Sequence, residues 1–548
     1  MANMINQPCD EAVIHAAPDR RPHPPSVGRW VLVATILGSS MAMIDGTAVN
    51  VALPVLEKSL NATIAETQWI VEIYALFLAA LILVGGSLGD VFGRKRFFAI
   101  GVALFALASI CCGLSQTTSQ LIIARAIQGI GGALLIPGSL SMIGSTFSKE
   151  QRGRAVGTWS GFTMITGAAG PVLGGWIVEN ISWRGIFFLN VPLAIVVLLI
   201  IFWRVPESRD ERASHKIDWW GGALITLALG SIVYGLITSN VFGLGSSVVI
   251  MALILGVAAL LAFLLREDRS QTPMVPLTLF RSRTFSGINI LTLFLYSAVG
   301  GVLFFFPFNL IQVQGYAPVA AGAALLPMIL ISFLLSRWSG GLINRYGAKL
   351  PLVIGPLLVA TAFLLYTRPG IGGSYWLTFF PAIVVQGFGV AITVAPLTTT
   401  AMSAVESKHV GLAAGISNTV SRTAALLSVA VLNIVFLATF TSTLDSQLAT
   451  LKLPPAIRQQ IDAQQTKLAE IQIPASVSGP LRSELSGIIA SSFVTSFRVI
   501  MLIAFGLALA SSLTALIMIN VPRVETGTSV EVRNSATSAD LSVSGQGK

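Results

Sequence analysis

Gly86-Ser-Leu-Gly-Asp-Val-Phe-Gly-Arg-Lys-Arg96 has an altered second copy in the same chain, Gly340-Gly-Leu-Ile-Asn-Arg-Tyr-Gly-Ala-Lys349. Both fit G-x-L-x-(D/N)-(x)-x-G-x-(K/R), and each follows a long apolar run, the second run and the tenth. Glycines let neighbouring helix ends approach closely. A glycine-rich basic loop that recurs half a chain later implies two related helix bundles facing each other, an arrangement of membrane transporters.

Outward from these loops, apolar runs of roughly 20 residues, the length that crosses a bilayer, recur at about 30–53, 68–88, 97–115, 120–143, 155–178, 185–203, 219–238, 246–265, 285–311, 318–336, 350–367, 376–400, 410–437 and 492–520. Hydrophobic residues make up 54% of the 548 and charged residues 11%, where a soluble domain carries about 25% charged residues. Lipid is therefore the expected solvent for most of the surface. The first ~29 residues are polar and lack the short apolar stretch and small-residue cleavage site of a signal peptide.

The net charge of +10 does not point to nucleic acid, because the basic residues fall in short loops between apolar runs and read as topology. With the N-terminus placed in the cytoplasm, the inner segments collect Arg94, Lys95, Arg96, Lys149, Arg152, Arg154, Arg204, Arg266, Arg269, Arg281, Arg283, Arg337, Arg345 and Lys349. The short outer loops hold only Lys58, Arg184 and Arg368. Lys452, Arg458, Lys467 and Arg482 lie on one long outer loop, and long loops are largely exempt from the rule. Fourteen spans with both ends in the cytoplasm, in an inner membrane, satisfy charge and hydropathy together. The expected division is a cytoplasmic tail at 1–29, a six-helix bundle at 30–204, two extra helices with flanking loops at 205–284, a second six-helix bundle at 285–520 and a disordered tail at 521–548. The outer loop at about 440–489 is expected to carry an amphipathic helix opened by Pro454 and Pro455, with Ile457, Ile461, Leu468 and Ile471 at helical spacing.

Cys9, Cys111 and Cys112 make no disulfide framework. His15, His23, His215 and His409 lie in tails or loops and form no metal set. There is no G-x-x-x-x-G-K-(S/T) loop to bind ATP and no nucleophilic triad. An enzyme, a metal site and an organic cofactor are all poorly supported.

Ionisable residues inside spans are costly and mark function by default. The first run contains Met43-Ile-Asp45-Gly-Thr-Ala-Val-Asn50-Val-Ala-Leu-Pro54, the second Gln68-Trp-Ile-Val-Glu72, and the fourth Arg125-Ala-Ile-Gln128-Gly-Ile-Gly-Gly132. Counting helical rise from the entry of each run places Asp45, Glu72 and Arg125 in the outer half of one bundle, so an Asp45–Arg125 interaction is expected with Glu72 nearby. An acid held in a span and able to gain and lose a proton meets the need of proton coupling; an arginine stays charged and biases such an acid. For Asp45 the alternative is a structural role, capping or pairing with a neighbour, and for Glu72 an interfacial acid in water. Arg422, within Asn418-Thr-Val-Ser-Arg422, lies about three turns into the thirteenth run. It needs a cavity or a partner: Asn418, an acid of the other bundle, or the substrate. Arg498 is shallower and is expected to snorkel. Tyr296, Phe304, Phe305 and Phe308 could line a cavity, although a phenylalanine run is more often lipid-facing or core packing.

These motifs, with Gly170-Pro171-Val-Leu-Gly174-Gly175 in the fifth run and Ser182-Trp-Arg-Gly-Ile-Phe-Phe-Leu-Asn190-Val-Pro192 before the sixth, occur in the order of the major facilitator superfamily. Over residues 30–520 the chain resembles in particular its fourteen-span drug:proton antiporters. The resemblance implies an all-α fold of two six-helix bundles with two interposed helices. It also implies alternating access driven by a proton gradient, with no cofactor. Gly86, Gly89, Asp90, Gly93, Arg94 and Arg96, with Asn344 and Arg345 of the second copy, would form a cytoplasmic latch. Asn344 replaces the commoner acid, which weakens the second copy. Asp45 and Arg125, with Glu72, would carry proton coupling, and Asn50, Gln128, Asn418 and Arg422 would contact substrate or partner. Gly170, Pro171, Gly174 and Gly175 resemble the packing motif of exporters. Thr166 stands where the family often has glycine, so a looser contact is expected there. The implied partners are a small, lipophilic or drug-like molecule, protons and the bilayer, with a periplasmic adaptor and outer-membrane channel left open. Uptake of a metabolite and a non-transporting receptor or scaffold stay open as alternatives.

Overall fold

A computed structural model describes residues 25–147, 149–209, 218–270, 273–405, 410–451, 453–474, 477 and 479–519. The expected C-terminal tail, the first 24 residues and the four histidines lie outside the described residues. In a lipid environment each backbone polar group must be satisfied within the chain, and helices do this segment by segment. Among the described residues thirteen helices are long and apolar enough to cross a membrane, and a shorter apolar one at Lys349–Leu365 joins them.

The first bundle contains α1 (Pro25–Leu60), α2 (Ile64–Phe92), α3 (Arg94–Leu114), α4 (Thr118–Thr146), α5 (Lys149–Asn180) and a span split into α6 (Arg184–Phe188) and α7 (Asn190–Arg204). Helix α1 begins inside the segment expected to be tail. Local chemistry sets several of the helix starts. Thr63 and Glu66 form a reciprocal capping box at α2, and the Thr117 hydroxyl accepts from the Gln120 amide at α4. Gly93, at φ +122°, makes the abrupt turn from α2 into α3.

Two further helices follow, α8 (Trp219–Phe242) and α9 (Ser247–Arg269). They pair with each other, and α8 leans on α2 and on a helix of the second bundle. Asp218 caps α8 through the Gly221 amide at 2.9 Å and pairs with Arg266 of α9 at 2.8 Å, which fastens the pair at one end. The outer face of α9 exposes Met251, Ile254 and Leu261, as a lipid-facing helix should.

The second bundle contains α10 (Arg283–Phe308), which runs into a π turn at Asn309–Val313, a span split into α11 (Pro318–Ala324) and α12 (Leu326–Tyr346), α13 (Lys349–Leu365), a span split into α14 (Tyr375–Thr378) and α15 (Phe380–Ser403), and α16 (Val410–Leu448). After α17 (Pro455–Asp462), α18 (Pro480–Met518) completes it.

Helices α16 and α18 extend well past the apolar runs, so the loop expected over 440–489 is helical at both ends. Hydropathy marks only the lipid-embedded part of a helix, and these two continue beyond it. The amphipathic segment also differs from its reading. Helix α17 stops at Asp462, and a 3-10 turn at Gln465–Glu470 follows, with Leu468 at φ 52°. Ile461 and Leu468 are 0% exposed and pack into the main core, so the segment rests on the protein.

The two bundles touch at one end of the molecule, the end carrying residues 57–61, 179–184 and 309–319. There α5 and α11 meet backbone to backbone. A Cβ on Gly175 would lie 2.5 Å from the Pro318 carbonyl oxygen, and one on Gly322 would lie 2.1 Å from that of Pro171. Gln312 donates to Glu57 at 2.9 Å, Asn433 to Gln68 at 2.6 Å, and Lys467 to Asn61 at 2.5 Å. Those three side-chain bonds all cross from one bundle to the other at this seam.

Candidate functional site

Helix α1 carries Asp45 toward α4, where Arg125 and Gln128, three residues apart, present one face. Arg125 Nη1 donates to Asp45 Oδ2 at 2.5 Å and to Gln128 Oε1 at 2.6 Å, and Nε donates to the Ile70 carbonyl at 3.0 Å. Gln128 Nε2 donates to Asp45 Oδ1 and to Ser109 Oγ of α3, both at 2.9 Å. Asn190 of α7 donates to the same two acceptors at 3.4 and 3.3 Å. The guanidinium lies 4.2 Å from the Tyr74 ring centre. Asp45 is 0% and Arg125 1% exposed. A buried ion pair is tolerable only when further hydrogen bonds satisfy the remaining lone pairs and protons, and α2, α4 and α7 supply them here.

A cavity of about 280 Å³ lies beside this network, between the bundles. Asn50, Glu72, Tyr74 and Arg125 face it from the first bundle, and Phe304 and Arg422 from the second. Asp45 is set back behind Arg125 and does not line it. Glu72 Oε1 accepts from Gln68 at 2.6 Å, while Oε2 is buried without a partner. Glu72 is therefore neither an interfacial acid in water nor bonded to the Asp45–Arg125 pair. Arg422 Nε donates to Asn418 at 3.0 Å, which is the partner within its own helix among those the sequence offered. Asn50 donates to the Gly46 carbonyl at 3.2 Å.

Of the readings open for the aromatic run, packing holds for Phe305 and Phe308, which are fully buried: Phe305 stacks on Phe436 at 4.5 Å, and Phe436 meets Phe493 edge-on. Phe304 alone of the expected aromatics lines the cavity, and Tyr296 lines a separate small pocket. Arg498 donates to the Pro369 carbonyl, in the loop between α13 and α14, at 3.2 Å. At Thr166 the contact is made by a hydrogen bond, with its hydroxyl 3.1 Å from Ser40 Oγ of α1. Gly170 and Gly174 press on Thr47 and Ala48 of the same helix.

At the opposite end from the seam, Asp90 pairs with Arg94 at 2.8 Å. Glu207 accepts from the Lys95 and Arg96 amides at 3.0 and 3.2 Å, and so caps the start of α3. Gly86 lies against Pro137. Arg345 is exposed, and the Asn344 side chain lies outside the described residues. Among the described residues no group of three His, Cys, Asp or Glu side chains is placed to hold a metal.

Two halves with corresponding loops, a largely apolar cavity with a few polar groups on the bundle interface and interposed helices match a pattern found elsewhere. The Major Facilitator Superfamily pattern matches residues 35–218 and 219–429. The chain belongs to the major facilitator superfamily. It is a multi-pass membrane transporter and not an enzyme. The tetracenomycin C resistance and export protein of Streptomyces glaucescens is 32% identical over 515 residues, covering 92% of this chain and 94% of that one. Multidrug resistance protein Stp of Mycobacterium tuberculosis is 33% identical over 459 residues, covering 84% and 83%. Among solved structures, a bacterial homologue of the human lysosomal transporter Spinster, inward-facing and unoccupied, superposes with a TM-score of 0.62 at 16% identity, covering 91% of this chain and all of that one. At that identity the likeness speaks for the fold.

Within the superfamily fold, the sequence reading missed Ser109, Tyr74, Gln68, Asn433 and Glu207, and it gave Asn190 no site role. The available signal was weak: a serine, an amide or a tyrosine in an apolar run is ordinary until its partner is known.

Proposed function

We propose that the protein exports small, lipophilic, drug-like molecules across the inner membrane in exchange for protons, with both termini in the cytoplasm. The observation that carries this is the buried Asp45–Arg125 pair at the edge of the inter-bundle cavity. The names of its relatives, resistance and export proteins among them, support the direction of transport. On the topology read from charge, the seam is the outer side, and the structure is the inward-facing state.

In this reading a proton arriving on Asp45 neutralises the carboxylate. Arg125 is not stranded, because Gln128 Oε1, the Ile70 carbonyl and the Tyr74 ring still face it. The guanidinium then turns its charge toward the cavity it lines, and the cavity's preference for substrate changes with protonation. Substrate sits between Phe304 and the first bundle, with the unpartnered Glu72 oxygen and Arg422 as its polar contacts. Gly170, Gly174 and Gly175 let α5 close on α1 and on α11. Asp90, Arg94 and Glu207 hold the inner loop as a unit that makes and breaks contact with the other bundle. The gradient is the driving force, and no organic cofactor takes part. The residues described and the comparisons lend no support to a periplasmic adaptor or outer-membrane channel.

Proteoliposomes with an internal pH dye test the proposal. Addition of lipophilic cations and anions is expected to evoke proton movement that disappears in Asp45→Asn. Full exchange in that variant would overturn the coupling role.

A further inference from the structure

Glu57, near the end of α1, reaches across the seam and is 2% exposed. Gln312 Nε2, from the π turn of the second bundle, donates to Glu57 Oε2 at 2.9 Å. The two atoms left over on these planar groups, Glu57 Oε1 and Gln312 Oε1, are both buried, both acceptors and both without a partner. A carboxyl and a carboxamide complement each other edge to edge only when the acid carries its proton. The amide N–H then serves one acid oxygen, and the acid O–H serves the amide oxygen. With the proton absent, the second position has acceptors and no hydrogen, and an unsatisfied buried acceptor is costly.

The surroundings do not supply the missing donor. The π turn carrying Gln312 has no ionisable residue. Lys467 and Glu470 of the segment after α17 face Glu57 with opposite charges, and the Lys467 ammonium is held by Asn61 at 2.5 Å. Glu57 does not line the central cavity.

We propose that Glu57 is a proton-binding site of the outer seam: closing the seam captures one proton on Glu57 Oε1, which completes an acid–amide pair with Gln312. The proposal rests on the alternating-access reading above. The proton comes from the outer aqueous phase while the seam is open and returns there on reopening. It is separate from the proton carried by Asp45. External acidity therefore favours the inward-facing state, and π geometry at Asn309–Val313, often a mark of functional sites, aims Gln312 at its partner.

The test uses the full chain in nanodiscs, with the native cysteines replaced by serine and spin labels at Asn180 and Gly373, on the outer ends of opposite bundles. In the otherwise unaltered protein the closed-to-open ratio is expected to rise with acidity by up to about tenfold per pH unit, the limit for one proton. Glu57→Gln supplies the missing N–H permanently, so its ratio should be high at every pH. Gln312→Ala removes the amide but leaves Glu57 buried on closing, so its ratio should lie below the parent's at every pH while still rising with acidity. A parent protein without pH response, Glu57→Gln with the parental response, or Gln312→Ala with the parental ratio overturns the proposal. If Glu57→Gln fails to fold, the lowered ratio of Gln312→Ala carries the test. Proton-coupled export by a protein with a pH-blind seam would sink this proposal alone. A pH-sensitive seam in a protein that exports nothing would sink the export reading alone.

Discussion

Arg125 has acceptors in reserve. Its Nη1 serves Asp45 and Gln128, its Nε serves a carbonyl, and an aromatic ring lies against its face. Asp45 has no comparable reserve of charge: Gln128 and Asn190 are its neutral donors, and Arg125 is the only cation bonded to it among the described residues. The two partners should therefore behave asymmetrically. Asp45→Asn keeps an acceptor for the guanidinium; it should fold and bind substrate, and lose proton-driven exchange. Arg125→Ala leaves a buried carboxylate unpaired and should destabilise the protein by about 3–5 kcal/mol. The double variant Asp45→Asn with Arg125→Ala should recover much of that loss, as a thermal unfolding cycle would reveal, while exchange stays absent. Additive losses, with the double variant less stable than Arg125→Ala alone, would mean that the two residues do not act as a pair in the fold.

At the scale of the element, the glycines matter because two helices have no room for a side chain between them. A methyl on Gly322 would lie 2.1 Å from the Pro171 carbonyl oxygen and one on Gly175 would lie 2.5 Å from that of Pro318, both against backbone that cannot rotate away. Gly322→Ala or Gly175→Ala should force α5 and α11 apart, raise access of water-soluble thiol reagents to a cysteine placed at Asn61, and slow export. Unchanged access would mean that the seam is held elsewhere. Helix α3 makes a milder case. Glu207 satisfies two amides at its start and complements its dipole. Glu207→Ala should cost about 0.5–1 kcal/mol, read from unfolding, and should increase amide exchange at residues 94–97.

Over the whole molecule, the segment 453–474 belongs to the second bundle by chain order, yet Lys467 bonds Asn61 of the first. Ile461 and Leu468 anchor it in the core, and it overlies the Glu57–Gln312 contact. Replacing 455–471 with a Gly/Ser linker of equal length should remove this strap without unfolding either bundle. The seam should then open more often, seen as faster hydrogen exchange at residues 57–63. Exchange at those residues that matches the parent would show the segment to be a passenger. The interposed α8 and α9 lie on the outside of the bundle pair and bury little of their outer face. They contribute no residue to the cavity.

The sequence by itself determined the helical membrane architecture, the pairing of two bundles and the meeting of Asp45 with Arg125. The physical reason is locality. Hydropathy decides that a segment enters lipid, lipid decides that it is helical, loop charge indicates which way it runs, and a buried ion must find its counter-ion at the same depth. Helix ends were legible where a capping residue stands next to them, and misread at α16 and α18, whose apolar signal stops before the helix does. Only the tertiary structure decided which acid faces the cavity, that Gln128 and Asn190 share the carboxylate of Asp45 and are held in turn by Ser109, and that Glu57 meets Gln312. Those partners are uncharged amides and hydroxyls far apart in the chain, 255 residues in the case of Glu57 and Gln312. A neutral polar group inside a helix has many ways to be satisfied, so its own sequence surroundings carry no mark of the one chosen.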